Sequence, residues 1–365
     1  NDTFVLSSQK GRFLRYGQRA YLPQILGLGL GRTLGLSYVA TVFLGKFFNL
    51  LFCTAVVTCA IRFSKYGKRT LMCVGLLPTT VFLFSSFTYD AFVIALLMLG
   101  IALFVTEYLS EEKIQTKRTM VSMVVGCFSK AVYIPFLALY WLMPKDKFYS
   151  RRQKNLFKAG IFVLLILMFA SFILPLIGNV TSGAEVGDYR GGDTSQTSQL
   201  SMILGYPLTY TGVLLKSLGT TFASYFIGSK VLANFAYRGI YDGIGYFVVL
   251  LTMLFTFVTD FGMTEKTYDA QMKRKILMMK IWNAVLIFGT ACLVWTALYL
   301  DFTPVGSMVI NGVSPRYYLP LIFPLSLIFI NQKVRCSMKL ENYQSLIAFL
   351  MLIGTGISIY CLMLA

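Results

Sequence analysis

"AFVIALLMLGIALFVTEYL", residues 91–109, carries one charge, Glu107, in a run that is otherwise almost wholly apolar. About 20 such residues, rising ~1.5 Å each as an α-helix, cross the ~30 Å hydrocarbon layer of a bilayer. A helix also satisfies its own backbone polar groups, which lipid cannot do. Comparable stretches lie at 38–63, 71–87, 157–179, 243–261, 276–300, 316–331 and 345–365. Of the 365 residues, 56% are hydrophobic and 13% charged, where a soluble domain carries about a quarter charged. The ~10-residue alternating segments of a membrane β-barrel are absent. The chain therefore reads as an all-α integral membrane protein, a polytopic helical bundle of about 9–11 spans.

The formal net charge is +18. No nucleic-acid motif accompanies it, so nucleic acid is not an expected partner. The charge is distributed as in a membrane protein: the short loops 62–70, 110–118, 144–158, 262–280 and 332–344 hold 21 of the 33 Lys and Arg. Cytoplasmic loops carry this excess, which places these five inside. The longer 180–242 stretch holds four and 301–319 only one, so both are expected outside. Residues 1–37 hold five, which sits less well with an outer placement.

One apolar stretch, 119–143, is interrupted by Ser129, Lys130 and Pro135. Its flanking loops both read as inside, so it must go out and return, turning near Lys130. Broken helices at membrane depth are tolerated where they line a cavity in the protein. Residues 20–37 are apolar but hold Pro23 and four glycines, which suits an interfacial or re-entrant segment better than a span. Gly27, Gly29 and Gly31 loosely resemble a dinucleotide loop, but no strand precedes them and the spacing is wrong. In 208–226, Leu208, Leu214, Leu215, Leu218, Phe222 and Phe226 recur near helical spacing, with Lys216, Ser217, Thr220 and Thr221 between. That pattern reads as an amphipathic helix on the outer interface, the other reading being a further span. The expected order is an outer loop and interfacial segment (1–37), an N-terminal bundle (38–179), an outer loop with its helix (180–242) and a C-terminal bundle (243–365).

Histidine is absent, which removes histidine bases, ligands and proton switches. Of the seven cysteines only Cys336 lies outside apolar segments, and none shows metal spacing, so they read as small hydrophobes. The chain begins at Asn1 rather than Met, and an upstream part with a first span is expected.

Charges within a bilayer cost roughly 2.5–3.5 kcal/mol on insertion scales and need partners or a wet cavity. Lys46, Asp90, Lys130 and Arg316 stand at such places, and the topology puts all four on or near the outer side. Structural pairing is one reading for each of them. For Asp90, at the start of 91–109, capping a helix is another. In "NGVSPRYYLPLIFPL", residues 311–325, Ser314 suits an N-cap and Pro315 a first helical position. Free N–H groups beside the Arg316 guanidinium would make an anion site, and phosphate is its natural occupant. Tyr317 and Tyr318 suit a membrane interface, where they also fit a plain aromatic belt. Lys130 and Arg238 are further outer cations for the phosphate, while Asp2, Asp90, Glu185, Asp188, Asp193, Asp242 and Asp301 are the outer carboxylates.

In order along the chain, "YLPQILGLGLGRTLGLS" (21–37), Lys46 and Asn49, Pro78, "SSFTYDA" (85–91), "SKAVYIP" (129–135) and "SPRYYLP" (314–320) resemble a bacterial polytopic family, number 2142 in the domain-of-unknown-function series. The resemblance covers about residues 20–331. It implies a distant relation to GT-C glycosyltransferases, which use polyprenyl-phosphate sugars, and an outer acidic loop ending in His, upstream of this chain's start. It also implies a catalytic Asp in the first outer loop, either upstream or Asp2. Pro315 stands where the family usually has Gly, and Lys46 replaces a family Arg, with positive charge kept.

The expected function is a membrane glycosyltransferase of GT-C type in the bacterial plasma membrane. It would move a sugar from a polyprenyl-phosphate donor to a glycan or lipid acceptor of the cell envelope on the outer side. Asp90 and Asp2 are the candidate catalytic carboxylates. Arg316, Lys130, Arg238 and Tyr317 are the candidate phosphate- and lipid-binding residues. A transporter or flippase for a lipid-linked glycan would use the same anion site without chemistry. No cofactor is firmly implied: the outer carboxylates leave room for a divalent cation, but no ligand spacing supports one.

Overall fold

Helices end where the sequence supplies a cap, a proline or a charge. The computed structural model describes residues 16–113, 116–181, 191–260, 269–331, 333–334 and 336–363. A short 3-10 turn leads into α1 (Leu22–Thr33), which doubles back as α2 (Tyr38–Phe63), capped by the Ser37 hydroxyl accepting from the Ala40 N–H. The two helices pack closely because a Cβ on Gly27 would stand 2.6 Å from the Leu44 carbonyl oxygen. Gly31 faces Thr41 in the same way, so Gly27 and Gly31 form a small-xxx-small seam. Only 12 residues long, α1 is too short to cross.

The expected span 71–87 is broken. It forms α3 (Lys68–Gly75) and α4 (Pro78–Phe84). Pro78 lacks an N–H and forces the residue before it out of helical geometry. Leu77 accordingly sits at φ −55°, ψ 137°. Next comes α5 (Tyr89–Leu109), capped by Thr88 and buried along most of its length, so it stands at the centre of the bundle.

The interrupted stretch forms α6 (Thr116–Ser129), a break at Lys130, and a 3-10 helix, Ala131–Leu142. Three residues per turn place positions three apart on one ridge. Tyr133, Phe136 and Leu139 form one buried ridge and Ile134, Leu137 and Tyr140 another, while Val132, Pro135, Ala138 and Trp141 face away. At ~2.0 Å per residue, the 12 residues reach about 24 Å, where an α-helix would reach about 18 Å. The tighter winding lets a short segment cover most of a bilayer.

The remaining helices are α7 (Arg151–Thr181), α8 (Gln196–Gly205), α9 (Pro207–Phe226), α10 (Ser229–Leu232), α11 (Ile244–Thr259), α12 (Ala270–Phe302), α13 (Leu319–Ile328) and α14 (Leu340–Met363). Among the described residues five helices are long and apolar enough to cross a membrane: α2, α5, the first part of α7, α12 and α14. The expected amphipathic segment is helical as α9, but its apolar residues split between two faces. Tyr210, Val213, Leu214 and Phe226 pack inward, while Leu208 (87% exposed), Leu215 and Phe222 face out at seven-residue spacing.

Contacts tie the basic loops together at one end. Asp260 accepts from Arg69 (2.8 Å) and from the Thr70 backbone and hydroxyl (3.0 and 2.9 Å). Lys275 pairs with Asp146, and the buried Lys147 ammonium donates to the Ser110 carbonyl and hydroxyl and to the Glu112 carbonyl. At the opposite end the segments 191–206 and 303–314 close over the tip of α12.

Candidate functional site

Asp90 lies in the first turn of α5, where a carboxylate meets the positive end of the helix dipole. Its N–H donates to the Thr88 hydroxyl at 3.2 Å, and the Thr88 carbonyl accepts from Gln24 at 3.1 Å. Only 3% exposed, Asp90 is paired on both oxygens. Lys130 Nζ stands 2.8 Å from Oδ1 and Arg316 Nε 3.2 Å from Oδ2. The first contact is a hydrogen bond; the second has ion-pair distance without hydrogen-bond alignment. One carboxylate between two cations leaves about one positive unit, in a setting where charge is weakly screened.

The break after α6 delivers Lys130 here. A continuing helix would carry residue 130 onward; instead it turns to φ −151°, ψ 104°, and the 3-10 helix starts behind it. Three tyrosine rings surround its ammonium, with centroids at 3.7 Å (Tyr317), 5.1 Å (Tyr89) and 5.8 Å (Tyr133). The negative ring faces favour a cation by ~0.5–2 kcal/mol each, more when water is excluded. Tyr133 also donates to the Tyr317 carbonyl at 2.7 Å, fixing the backbone that carries Arg316.

Arg316 sits in a four-residue 3-10 turn, Pro315–Tyr318, and the α-helix proper begins only at Leu319. Ser314 holds the N-cap position without a side-chain cap bond, and its carbonyl accepts from the Tyr317 N–H. Ser314 and Pro315 thus take the expected N-cap and first helical positions, but the element they open is a 3-10 turn of four residues rather than an α-helix. Two prolines explain this: Pro315 and Pro320 fix local dihedrals and withhold two N–H donors. Positive charge at the site comes from side chains. Arg316 remains 40% exposed and lines a cavity.

That cavity measures about 420 Å³ and opens among Tyr89, Lys130, Arg316, Tyr317, Ser314 and the tip of α12, within the ~300–1,000 Å³ of small-molecule sites. One rim, at the tip of α12, is closely bonded. Gln196 donates to Asp301 at 2.7 Å, the Gly306 N–H to Gln199 at 3.1 Å, and the Asn311 N–H to Thr303 at 3.0 Å. Gly312 crosses the Phe302 ring at φ +79°, where a Cβ would stand 2.3 Å from a ring carbon.

Asp90, Lys130 and the adjacent pair Arg316 and Tyr317 are thus brought together from three separate stretches of sequence. Arg238 is not with them: it is exposed in the short turn Ala236–Arg238, outside the cavity lining. Asp2 lies outside the described residues. Lys46 is exposed on α2 and makes no ion pair among the described residues. Sequence reasoning missed Tyr89 and Tyr133 as ring partners of Lys130, and Asp301 as part of the cavity wall. A period of three in "AVYIPFLALYWL" was the available signal for Tyr133. Among the described residues no three Cys, Asp or Glu gather as a metal site.

No curated protein and no solved structure matches this chain. Residues 3–325 match the family described as predicted membrane protein (DUF2142). The chain belongs to that family of membrane proteins, and the cavity built on Asp90, Lys130 and Arg316 falls within the matched part.

Proposed function

We propose that the cavity binds the phosphate of a polyprenyl-phosphate sugar, and that the protein transfers the sugar to a glycan or lipid acceptor on the outer side of a bacterial plasma membrane. The observation that carries this reading is the net positive, tyrosine-walled group of Lys130 and Arg316 around Asp90, open to a cavity of small-molecule size. A phosphate supplies the charge the group lacks, and a guanidinium matches its oxygens. In the reaction the acceptor oxygen bonds to the sugar's anomeric carbon as the bond from that carbon to the phosphate oxygen breaks. The electron pair leaves with the phosphate, where Arg316 and Lys130 stabilise the added charge. Asp90, held by both cations, positions them. The acceptor's proton goes to an outer carboxylate; the family resemblance implies an Asp of the first outer loop, for which Asp2 is a candidate. The exposed Leu208, Leu215 and Phe222 on α9 support a helix resting against lipid beside the cavity.

The test is sugar transfer from polyprenyl-phosphate donors by the full-length protein in nanodiscs. Wild type, Asp90→Asn, Lys130→Ala and Arg316→Ala are compared. Product from wild type that is lost in Arg316→Ala supports the reading, and undiminished transfer by Arg316→Ala ends it. Arg316-dependent donor binding with no product would instead favour a carrier of lipid-linked glycans.

A further inference from the structure

The cavity is charged at two places. Val294, Ala297, Leu298 and Asp301 lie on one face of α12 and form one wall, a run of about 10 Å at ~1.5 Å per residue. Asp301 ends that run. As a carboxylate in the last turn of a helix it faces the negative end of the dipole, where a carboxylate is disfavoured. Its Oδ1 accepts from Gln196, which α8 brings in from the other rim segment. Among the described residues Oδ2 has no bonded partner, and the residue lines the cavity that also holds Lys130 and Arg316. The amide fixes one oxygen and leaves the other free, an arrangement suited to accepting hydroxyl protons in hydrogen bonds. Lys275, Asp146 and the other charged residues of the basic end lie at the far end of α12 and do not compete for it.

We propose that Asp301, oriented by Gln196, binds hydroxyl groups of the sugar whose phosphate sits at Lys130 and Arg316, and so determines which sugar the cavity accepts. This rests on the phosphate-binding reading above. A glycosyl phosphate has this polarity, an anion at one end and a polyol at the other. The α12 wall that ends at Asp301 is otherwise apolar (Val294, Ala297, Leu298), as suits the carbon face of a sugar ring.

Two classes of probe separate the claims: a short-chain prenyl phosphate, and the same lipid carrying a panel of hexoses and pentoses. Binding is measured to the full-length protein in nanodiscs. Wild type is expected to bind at least one glycosylated probe about tenfold or more tighter than the bare prenyl phosphate, the scale of hydrogen bonds to a charged group. In Asp301→Asn, which can still accept from Gln196, that gain over bare prenyl phosphate disappears, while bare prenyl phosphate still binds and does so no more weakly than to wild type, since a negative charge has been removed from the cavity. Asp301→Glu, which keeps the charge, is expected to change the order of preference among the sugars. No sugar gain in wild type, or a gain and an order that survive both substitutions, overturns the inference and leaves the phosphate site standing. Failure of wild type to bind bare prenyl phosphate, or binding unchanged in Arg316→Ala, would remove the phosphate reading itself.

Discussion

Lys130 Nζ lies 2.8 Å from Asp90 Oδ1, joining the break after α6 to the first turn of α5. Both groups are largely withdrawn from solvent, at 14% and 4% side-chain exposure. Breaking a buried pair costs more than the pair contributes, because the remaining charge is left without compensation. Asp90→Asn is therefore expected to destabilise the protein by about 3–5 kcal/mol, and Lys130→Met in the same chain should restore part of the loss. Thermal melts of both single variants and the double variant close the cycle. An additive double variant would show that the two side chains do not interact.

Tyr317 places its ring 3.7 Å from the Lys130 ammonium. Tyr317→Phe keeps the ring face and should change phosphate affinity less than twofold. Tyr317→Leu keeps apolar bulk but loses the quadrupole, and should weaken anion binding and stability by about 0.5–2 kcal/mol. Titration with short-chain prenyl phosphate, alongside melting, compares the two. Equal losses in both variants would mean that the hydroxyl matters and the ring does not.

These two contacts show how far the sequence could be read. Segregation of charge and the length of the apolar runs made the all-helical membrane class legible. Cationic and acidic residues in apolar surroundings pointed to Asp90, Lys130 and Arg316, because burying them is costly enough to require a reason. The pairing itself was not legible: Asp90 and Lys130 are 40 residues apart, and neither's periodicity indicates its partner. Hydropathy also smoothed over the break at Pro78 and the 3-10 winding of 131–142, since both leave the segments uniformly apolar. "SPRYY" promised a helix start because Ser and Pro fit those positions, yet the second proline at 320 holds the chain in a 3-10 turn first. Arg238 was grouped with the other cations on predicted side alone, which says nothing of lateral position.

Gly312 allows the 303–314 segment to pass over the Phe302 ring. At φ +79° an L side chain is disfavoured, and its Cβ would stand 2.3 Å from the ring. The left-handed backbone alone costs about 1–2 kcal/mol. Gly312→Ala should lower the melting temperature and weaken probe binding together, since Gly312 and Phe302 both line the cavity. Adding Phe302→Ala relieves the clash but not the backbone strain, so it should recover only part of the stability. Full recovery would assign the whole effect to the ring.

Transfer on the outer side requires the cavity to face outward, since a lipid-linked donor presented outside is of no use to a cavity facing inside. The loops at 62–70 and 144–158 hold four and six Lys and Arg, while 301–319 holds one. Cytoplasmic loops carry that excess. Lys145 and Met308 are both exposed and lie at opposite ends of the bundle. With the seven native cysteines replaced, Met308→Cys should react with a membrane-impermeant maleimide on intact cells. Lys145→Cys should react only after permeabilisation. The reverse pattern would place Asp90, Lys130 and Arg316 at the cytoplasmic face, where their cavity would meet soluble phosphates, and outer-side transfer from a polyprenyl carrier would no longer be tenable.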